Sequence, residues 1–390
     1  MPKLTICGGG NAAHVLIALA AQAGWEVDVF ASLADEAERL QAGTAAGGGM
    51  QAKSEVGVIV GSPRRISSNP AEVIPGSELI LLAAPAFGHG PILQAIAQSL
   101  EPGATIGALP ARGGFDTQAF SILKGSKVPG RLFGLQTLPW ACRIVRYGQE
   151  VEILGTKAAV DLAAAPAGAA PELAGQLTPV LGVKLRPVAS FLTLTLANTG
   201  QLIHPGIMYG LGRDREGVTF SQADIPLFYQ GLDEATAQVL EAMSQEVQVM
   251  AHQLASRLPD FAPQEVLSIH DWLGRAYSGA IRDGSSLRRA FMTNRAYAGL
   301  KFPSRPIGPD AFAIDYKARY LSEDVPFGLV VTRGIAELIG VETPVIDEVI
   351  TWAQAHLERQ YLVKGALTGA DLAETRAPQV YGIKTIADVG

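Results

Sequence analysis

Near the amino terminus an apolar run, Leu4-Thr-Ile-Cys7, meets the turn Gly8-Gly9-Gly10-Asn11-Ala12-Ala13 and passes straight into the apolar stretch His14-Val-Leu-Ile-Ala-Leu19. Few short patterns constrain a chain so tightly. A strand that ends on Gly-x-Gly-x-x-Ala and reverses into a helix must turn sharply at Gly8 and leave its backbone bare at Gly10. At Ala13 it needs a residue small enough for the helix to lie close on the sheet. The N–H groups of the first helical turn, with the helix dipole behind them, then face two phosphate charges. The spacing predicts a dinucleotide-binding turn with Gly8, Gly10, Asn11, Ala12 and Ala13 against the cofactor.

The sequence that follows completes an α/β unit. Gly24 ends the first helix, residues 25–30 (Trp-Glu-Val-Asp-Val-Phe) read as a second strand, and residues 78–84 (Glu-Leu-Ile-Leu-Leu-Ala-Ala) read as a later buried strand stopped by Pro85. Strands alternating with helices imply a parallel sheet. Pro85 and Ala86, where that strand ends, are assigned to the same cofactor site.

Cofactor choice turns on what stands at the end of the second strand, where an acid suits a ribose 2′-hydroxyl and a base suits a 2′-phosphate. Asp28 lies about twenty residues past the glycines but inside the strand, which leaves it as either a ribose contact or a strand-face carboxylate. Beyond Phe30 come Asp35, Glu36 and Glu38, with Arg39 the nearest cation. That acidity repels an extra phosphate and favours NAD over NADP. Arg64 and Arg65 reverse the choice if their loop folds over the adenosine ribose.

The 390 residues are 48% hydrophobic and 17% charged, enough for two domains and too apolar for disorder. A net charge of −6 offers no footprint for nucleic acid. Cys7 and Cys142 form no metal-binding spacing and read as reduced cytoplasmic thiols, and no metal is expected. Residues 187–212, a run of 26, contain no Asp, Glu, Lys or Arg. The length suits a bilayer, but Thr193, Thr195, Asn198, Thr199, Gln201 and His204 crowd it, so a helix buried between domains is expected instead. Organisation changes near residue 190. Beyond it Val239, Leu240, Met243, Val247, Met250 and Leu254 recur at helical spacing behind a capping Asp233, and Thr343-Pro344 opens another helix. The expected fold is an α/β Rossmann-type dinucleotide-binding domain over residues 1–190 and a mainly α-helical substrate domain over 191–390.

Such a pairing suggests a dehydrogenase with its site in the cleft between the domains. His204 stands out among six histidines because it precedes Pro205, which is expected to stop a helix and expose its end. Pattern alone slightly favours a satisfied core histidine. His14 and His89 fall near the cofactor turns, while His252, His270 and His356 read as surface or packing residues. A second cluster, Lys317-Ala-Arg319-Tyr320-Leu-Ser-Glu323-Asp324, runs straight into apolar sequence, so part of it can face a cleft rather than solvent.

These residues belong to several unusual strings: Cys-Gly-Gly-Gly-Asn-x-Ala-His at 7–14, Ala-Asp-Glu-Ala-Glu-Arg at 34–39, Thr-Leu-Pro-Trp-Ala-Cys-Arg-Ile at 137–144, Leu-Gly-Thr-Lys at 154–157, Pro-Leu-Phe-Tyr-Gln-Gly at 226–231 and Arg-Tyr-Leu-x-Glu-Asp at 319–324. Through them the chain resembles the opine dehydrogenases of the octopine dehydrogenase type over nearly its whole length. The resemblance implies NADH-dependent reductive condensation of an α-keto acid, commonly pyruvate, with the amino group of an amino acid. It further implies that His204 is the acid–base residue, Asp324 its paired carboxylate, Arg319 the keto-acid carboxylate ligand and Thr137 a hydroxyl of the pyruvate pocket. Cys142 is placed with the substrate residues.

Departures from the family matter too. Gln136 stands where octopine-forming enzymes have Glu, which disfavours arginine as the amine. Arg112 replaces a family Gln and suits a second carboxylate, a sulfonate or the pyrophosphate. Asn198, about two helical turns before His204, can hydrogen-bond substrate or the nicotinamide amide. The expected partners are a small keto acid and an amino acid, with no nucleic acid and no membrane, the chain acting as monomer or homodimer. A two-domain keto-acid reductase of the ketopantoate reductase kind is the alternative enzyme, and a non-catalytic nucleotide sensor the alternative class.

Overall fold

The computed structural model describes residues 2–124 and 130–389. By its internal contacts the chain divides into two compact units, Met1–Leu194 and Thr195–Val389.

The first unit is built on an eight-stranded sheet of order β12-β11-β8-β7-β6-β1-β2-β5. Its strands are β1 (Lys3–Cys7), β2 (Glu26–Phe30), β5 (Arg65–Ser67), β6 (Leu79–Leu82), β7 (Thr105–Ala108), β8 (Arg131–Leu135), β11 (Ala159–Ala165) and β12 (Lys184–Pro187). From β5 to β8 every pairing is parallel, with Thr5 opposite Asp28 and Ile80. β11 returns antiparallel to β8. Alternate strand residues feed two cores, because successive side chains point to opposite faces. Leu4, Ile6, Val27, Val29 and Leu81 pack toward helices α1 (Asn11–Gln22) and α6 (Ala170–Leu181). Cys7, Phe30, Ile80, Leu82 and Ile106 lie in the opposite core with residues of α4 (Ala86–Ile96) and α5 (Phe115–Leu123). Both faces are therefore covered, as a parallel sheet requires. Two further helices, α2 (Glu36–Gly47) and α3 (Pro70–Val73), complete the β-α alternation. A second sheet, β4-β3-β10-β9, combines β3 (Met50–Ser54), β4 (Gly57–Gly61), β9 (Trp140–Arg146) and β10 (Glu150–Thr156). The cysteines are unpaired.

The second unit is helical apart from the hairpin of β13 (Ser304–Gly308) and β14 (Ala311–Ile314). It holds α8 (Gly200–Gly212), α9 (Glu234–Ala255), α10 (Ile269–Ala276), α11 (Leu287–Thr293), α12 (Arg319–Ser322), α13 (Val330–Ile339) and α14 (Pro344–Leu357), with α7 (Phe191–Leu196) running into it from the first unit. Asp233 caps α9 by accepting from the Thr236 N–H at 2.8 Å. Thr343 stands at the start of α14 but caps no backbone group, its hydroxyl donating instead to Asp347. α8 and α9 approach closely because α8 is bare at two successive turns. A Cβ at Gly206 would lie 2.5 Å from Leu240, and one at Gly210 would lie 2.5 Å from Thr236.

The uncharged run is not one helix. It breaks at residues 197–199 between α7 and α8, and no helix of the described residues is long and apolar enough to cross a membrane. Pro205 does not stop a helix either, since α8 runs through it to Gly212. Its missing N–H would have bonded to Gln201 in the helix's first turn, so one hydrogen bond is lost while the rest of the helix continues.

Candidate active site

At the turn after β1, Gly8 has φ +124°, and a Cβ there would lie 2.7 Å from the Ala83 carbonyl oxygen. Only glycine fits. Gly10 differs, because its φ is −85° and a Cβ would meet nothing within 4 Å. Its bareness serves nothing in the protein's own packing, which is what a backbone approached by a pyrophosphate requires. Ala13 is fully buried and Ala12 half-buried at the start of α1. Pro85 caps α4 from the end of β6, and Ala86 is its buried first residue. These residues fit a nicotinamide dinucleotide.

Asn11 and His14 do something the sequence did not reveal. The Asn11 side-chain oxygen accepts from the Ile144 N–H at 2.8 Å, and His14 Nε2 accepts from the Gly148 N–H at 2.9 Å. Because Nε2 accepts, Nδ1 carries the proton and donates to the Gly10 carbonyl at 3.0 Å. Burial pushes the His14 pKa down to about 4, so the ring is held neutral. The glycine turn is thus tied to the β9–β10 hairpin at two points.

The carboxylates after β1 sort into two roles. Asp28 is fully buried and takes a two-pronged bond from Arg64, Nε at 3.0 Å and Nη2 at 2.6 Å, with Lys3 at 3.2 Å. Burial raises its pKa, but the bonds from Arg64 and Lys3 outweigh that and hold it below the usual range. It is a structural carboxylate of the strand, and Arg64 is committed to it. Glu36 instead lies over the glycine turn, where a Cβ on Gly9 would meet its carboxyl carbon at 2.6 Å. Burial pushes the Glu36 pKa up against a backbone bond from Leu33.

Past the carboxyl ends of β7 and β8 lie the residues expected to bind substrate, where ligands bind open α/β sheets. Arg112 is half-buried with φ +61°, a left-handed backbone that a side-chain-bearing residue holds only under constraint. Gln136 is buried, its N–H donating to the Asp161 carbonyl at 3.0 Å, and the half-buried Thr137 follows it. The Lys157 ammonium donates to the Leu138 carbonyl at 2.8 Å, fastening the segment that carries Thr137. Burial lowers Lys157 to about 8 and raises the neighbouring Cys142 thiol to about 11.

In the helical unit, α8 carries His204 and the chain after α12 carries Asp324. From Asp324 the backbone makes a wide turn over Val325–Leu329, closed by the Leu329 N–H donating to the Asp324 carbonyl five residues back at 2.9 Å. Such π-type turns displace a side chain out of regular helical register. His204 Nδ1 lies 2.8 Å from Asp324 Oδ2 and Nε2 lies 2.9 Å from the Tyr229 hydroxyl, while the ring stacks on Tyr320 at 4.2 Å and 14°. Arg319, one turn before Asp324, directs Nε and Nη2 at the buried Glu323, Nε at 2.7 Å. Asn198 is buried in the break before α8 rather than two turns along one helix, and its side-chain nitrogen has no hydrogen-bond partner among the described residues. Tyr229 and Tyr320 were missed in the sequence, although both stand in strings quoted there, at 226–231 and 319–324.

Comparison with known proteins identifies the family of the chain. Residues 187–357 match the NAD/NADP octopine/nopaline dehydrogenase family, alpha-helical domain. The chain is 37% identical to an octopine dehydrogenase of Mizuhopecten yessoensis over 98% of its own length and 97% of the relative's. It is 34% identical to a tauropine dehydrogenase of Arabella iricolor over the full length of both. A solved octopine dehydrogenase with NADH and L-arginine superposes with a TM-score of 0.90 at 34% identity, over 99% of this chain and 97% of that one. The chain therefore belongs to the octopine/nopaline dehydrogenase family and is an NAD(P)-dependent opine dehydrogenase.

Proposed function

We propose that the protein condenses an α-keto acid, pyruvate first among candidates, with the amino group of an amino acid and reduces the product with NADH to an N-(1-carboxyalkyl) amino acid. The observation that carries this is the His204–Asp324 pair, with Arg319 one turn away. An accepting carboxylate on Nδ1 leaves Nε2 as the basic nitrogen, the arrangement needed to take a proton from an amine. Arg319, held by Glu323 through Nε and Nη2, keeps its remaining guanidinium nitrogen for the keto-acid carboxylate. Thr137, Arg112 and Cys142 would hold the substrate arms, and the Gly10–Ala12 amides the pyrophosphate.

In the reaction the amine nitrogen bonds to the keto carbon, the carbonyl oxygen leaves as water, and a C=N bond forms. His204 accepts the amine proton and returns one to the departing oxygen. The bound nicotinamide supplies hydride to the C=N carbon. Relatives include solved octopine dehydrogenases with NADH and with pyruvate, which supports NAD and pyruvate here. The unpaired cysteines support a cytoplasmic setting. Incubation with pyruvate, NADH and single amino acids tests the proposal. The expected product has the summed mass of both substrates less water plus two hydrogens; lactate as sole product would overturn it.

A further inference from the structure

Both ring nitrogens of His204 are engaged in this structure. Asp324 takes Nδ1, and the Tyr229 hydroxyl lies 2.9 Å from Nε2. A neutral imidazole has one in-plane lone pair on Nε2, and here it points at a phenol. Tyr229 is only 7% exposed. It stacks on Tyr297 at 4.0 Å and 17°, runs parallel to Phe291 at 6.1 Å, and meets Phe228 edge-on at 4.8 Å. That packing holds the hydroxyl where it is, and burial keeps it a phenol by pushing its pKa well above the ordinary 10. Beside this hydroxyl lies Tyr320, which is half-buried and stacks on the face of the imidazole. Asp324, His204 and Tyr229 thus form one chain of hydrogen bonds, running from a buried carboxylate to a buried phenol, with the half-buried Tyr320 beside it.

We propose that Tyr229 is a proton relay through which protons reach and leave His204 Nε2, with Tyr320 as the outer member of the path. This rests on the reading of His204 as the base. In the forward direction an N–H bond of the amine breaks as its proton passes to a phenol oxygen. The O–H proton of Tyr229 moves in the same event to Nε2. Neither phenol changes charge, because each accepts one proton and gives one up. On return the imidazolium donates from Nε2 to the Tyr229 oxygen and the path runs backwards to the oxygen that leaves as water. A phenol suits the task because it donates to a neutral Nε2 and accepts from a protonated one without moving its ring.

Tyr229→Phe keeps the ring stack and removes only the hydroxyl. The expected result is roughly a ten- to hundredfold lower kcat, a fraction of the usual worth of acid–base catalysis, with keto-acid KM and NADH affinity changed less than about twofold. Turnover in mixtures of H2O and D2O should show more than one proton in flight in the wild type and fewer in the variant. In a His204→Ala background, Tyr229→Phe should cost little more, since the relay then leads nowhere. Tyr320→Phe, which leaves the Tyr229–His204 bond intact, is the second variant; it should lower kcat less and shift the isotope response the same way. Unchanged or faster turnover of Tyr229→Phe, or an equal loss with and without His204, would overturn the relay. Full turnover of His204→Ala alone would instead overturn the base.

Discussion

His204 stands in a helix interior with a buried carboxylate on one nitrogen and a buried phenol on the other, so its neighbours fix both tautomer and direction. Removing the imidazole should therefore remove chemistry rather than binding. His204→Ala is expected to lower turnover by about two to four orders of magnitude with NADH affinity nearly unchanged, measured by steady-state kinetics and fluorescence titration. A second residue-scale outcome concerns Gln136, which is buried and neutral. A guanidinium placed there without a carboxylate lacks the charge-assisted bond that offsets its desolvation. Gln136→Glu should raise arginine use relative to neutral amino acids by up to about two orders of magnitude, and efficient use of arginine by the unaltered protein would contradict the reading. A third residue-scale outcome concerns cofactor discrimination. Glu36 lies over Gly9 while Asp28 is sealed against Arg64 and Lys3. Dissociation constants should show NADH bound more tightly than NADPH, the ratio shrinking in Glu36→Gln and holding in Asp28→Asn.

At the scale of elements, the glycine turn is held in place by more than its sheet. The β9–β10 hairpin reaches it through Ile144 on Asn11 and Gly148 on His14, and the second bond exists only while His14 is neutral. Protonation would set an Nε2–H against the Gly148 N–H. The folded pKa is about 4 against an ordinary 6.5, so between those values the unfolded chain binds a proton that the folded chain refuses. This contribution is complete above pH 6.5 and is lost as pH falls toward 4. Urea unfolding across that window should show falling stability, with a flatter slope in His14→Asn. The helical elements show where sequence patterns stop working. Proline reads as a helix stop, but Pro205 sits close enough to the start of α8 to be absorbed. The break at residues 197–199 has no proline or glycine before Gly200, so periodicity alone reads one helix through it.

At the scale of the molecule, local signals reveal the fold more fully than the site. Gly8, Gly10 and Ala13 announce the turn because sterics admit almost nothing else there, and alternation of strand and helix dictates the parallel sheet. The pairing of His204 with Asp324 spans 120 positions and could be read only through resemblance to a family. Tyr229 carried no periodic or spacing signal; its place on Nε2 depends on how three separate segments stack their rings. The central claim is that reduction waits for an amine. NADH oxidation followed with pyruvate alone, and again with each amino acid added, tests it most directly. The account predicts negligible oxidation until a neutral amino acid is present, and then one NADH consumed per secondary amine formed. Brisk oxidation with pyruvate alone, unaffected by any amine, would contradict it.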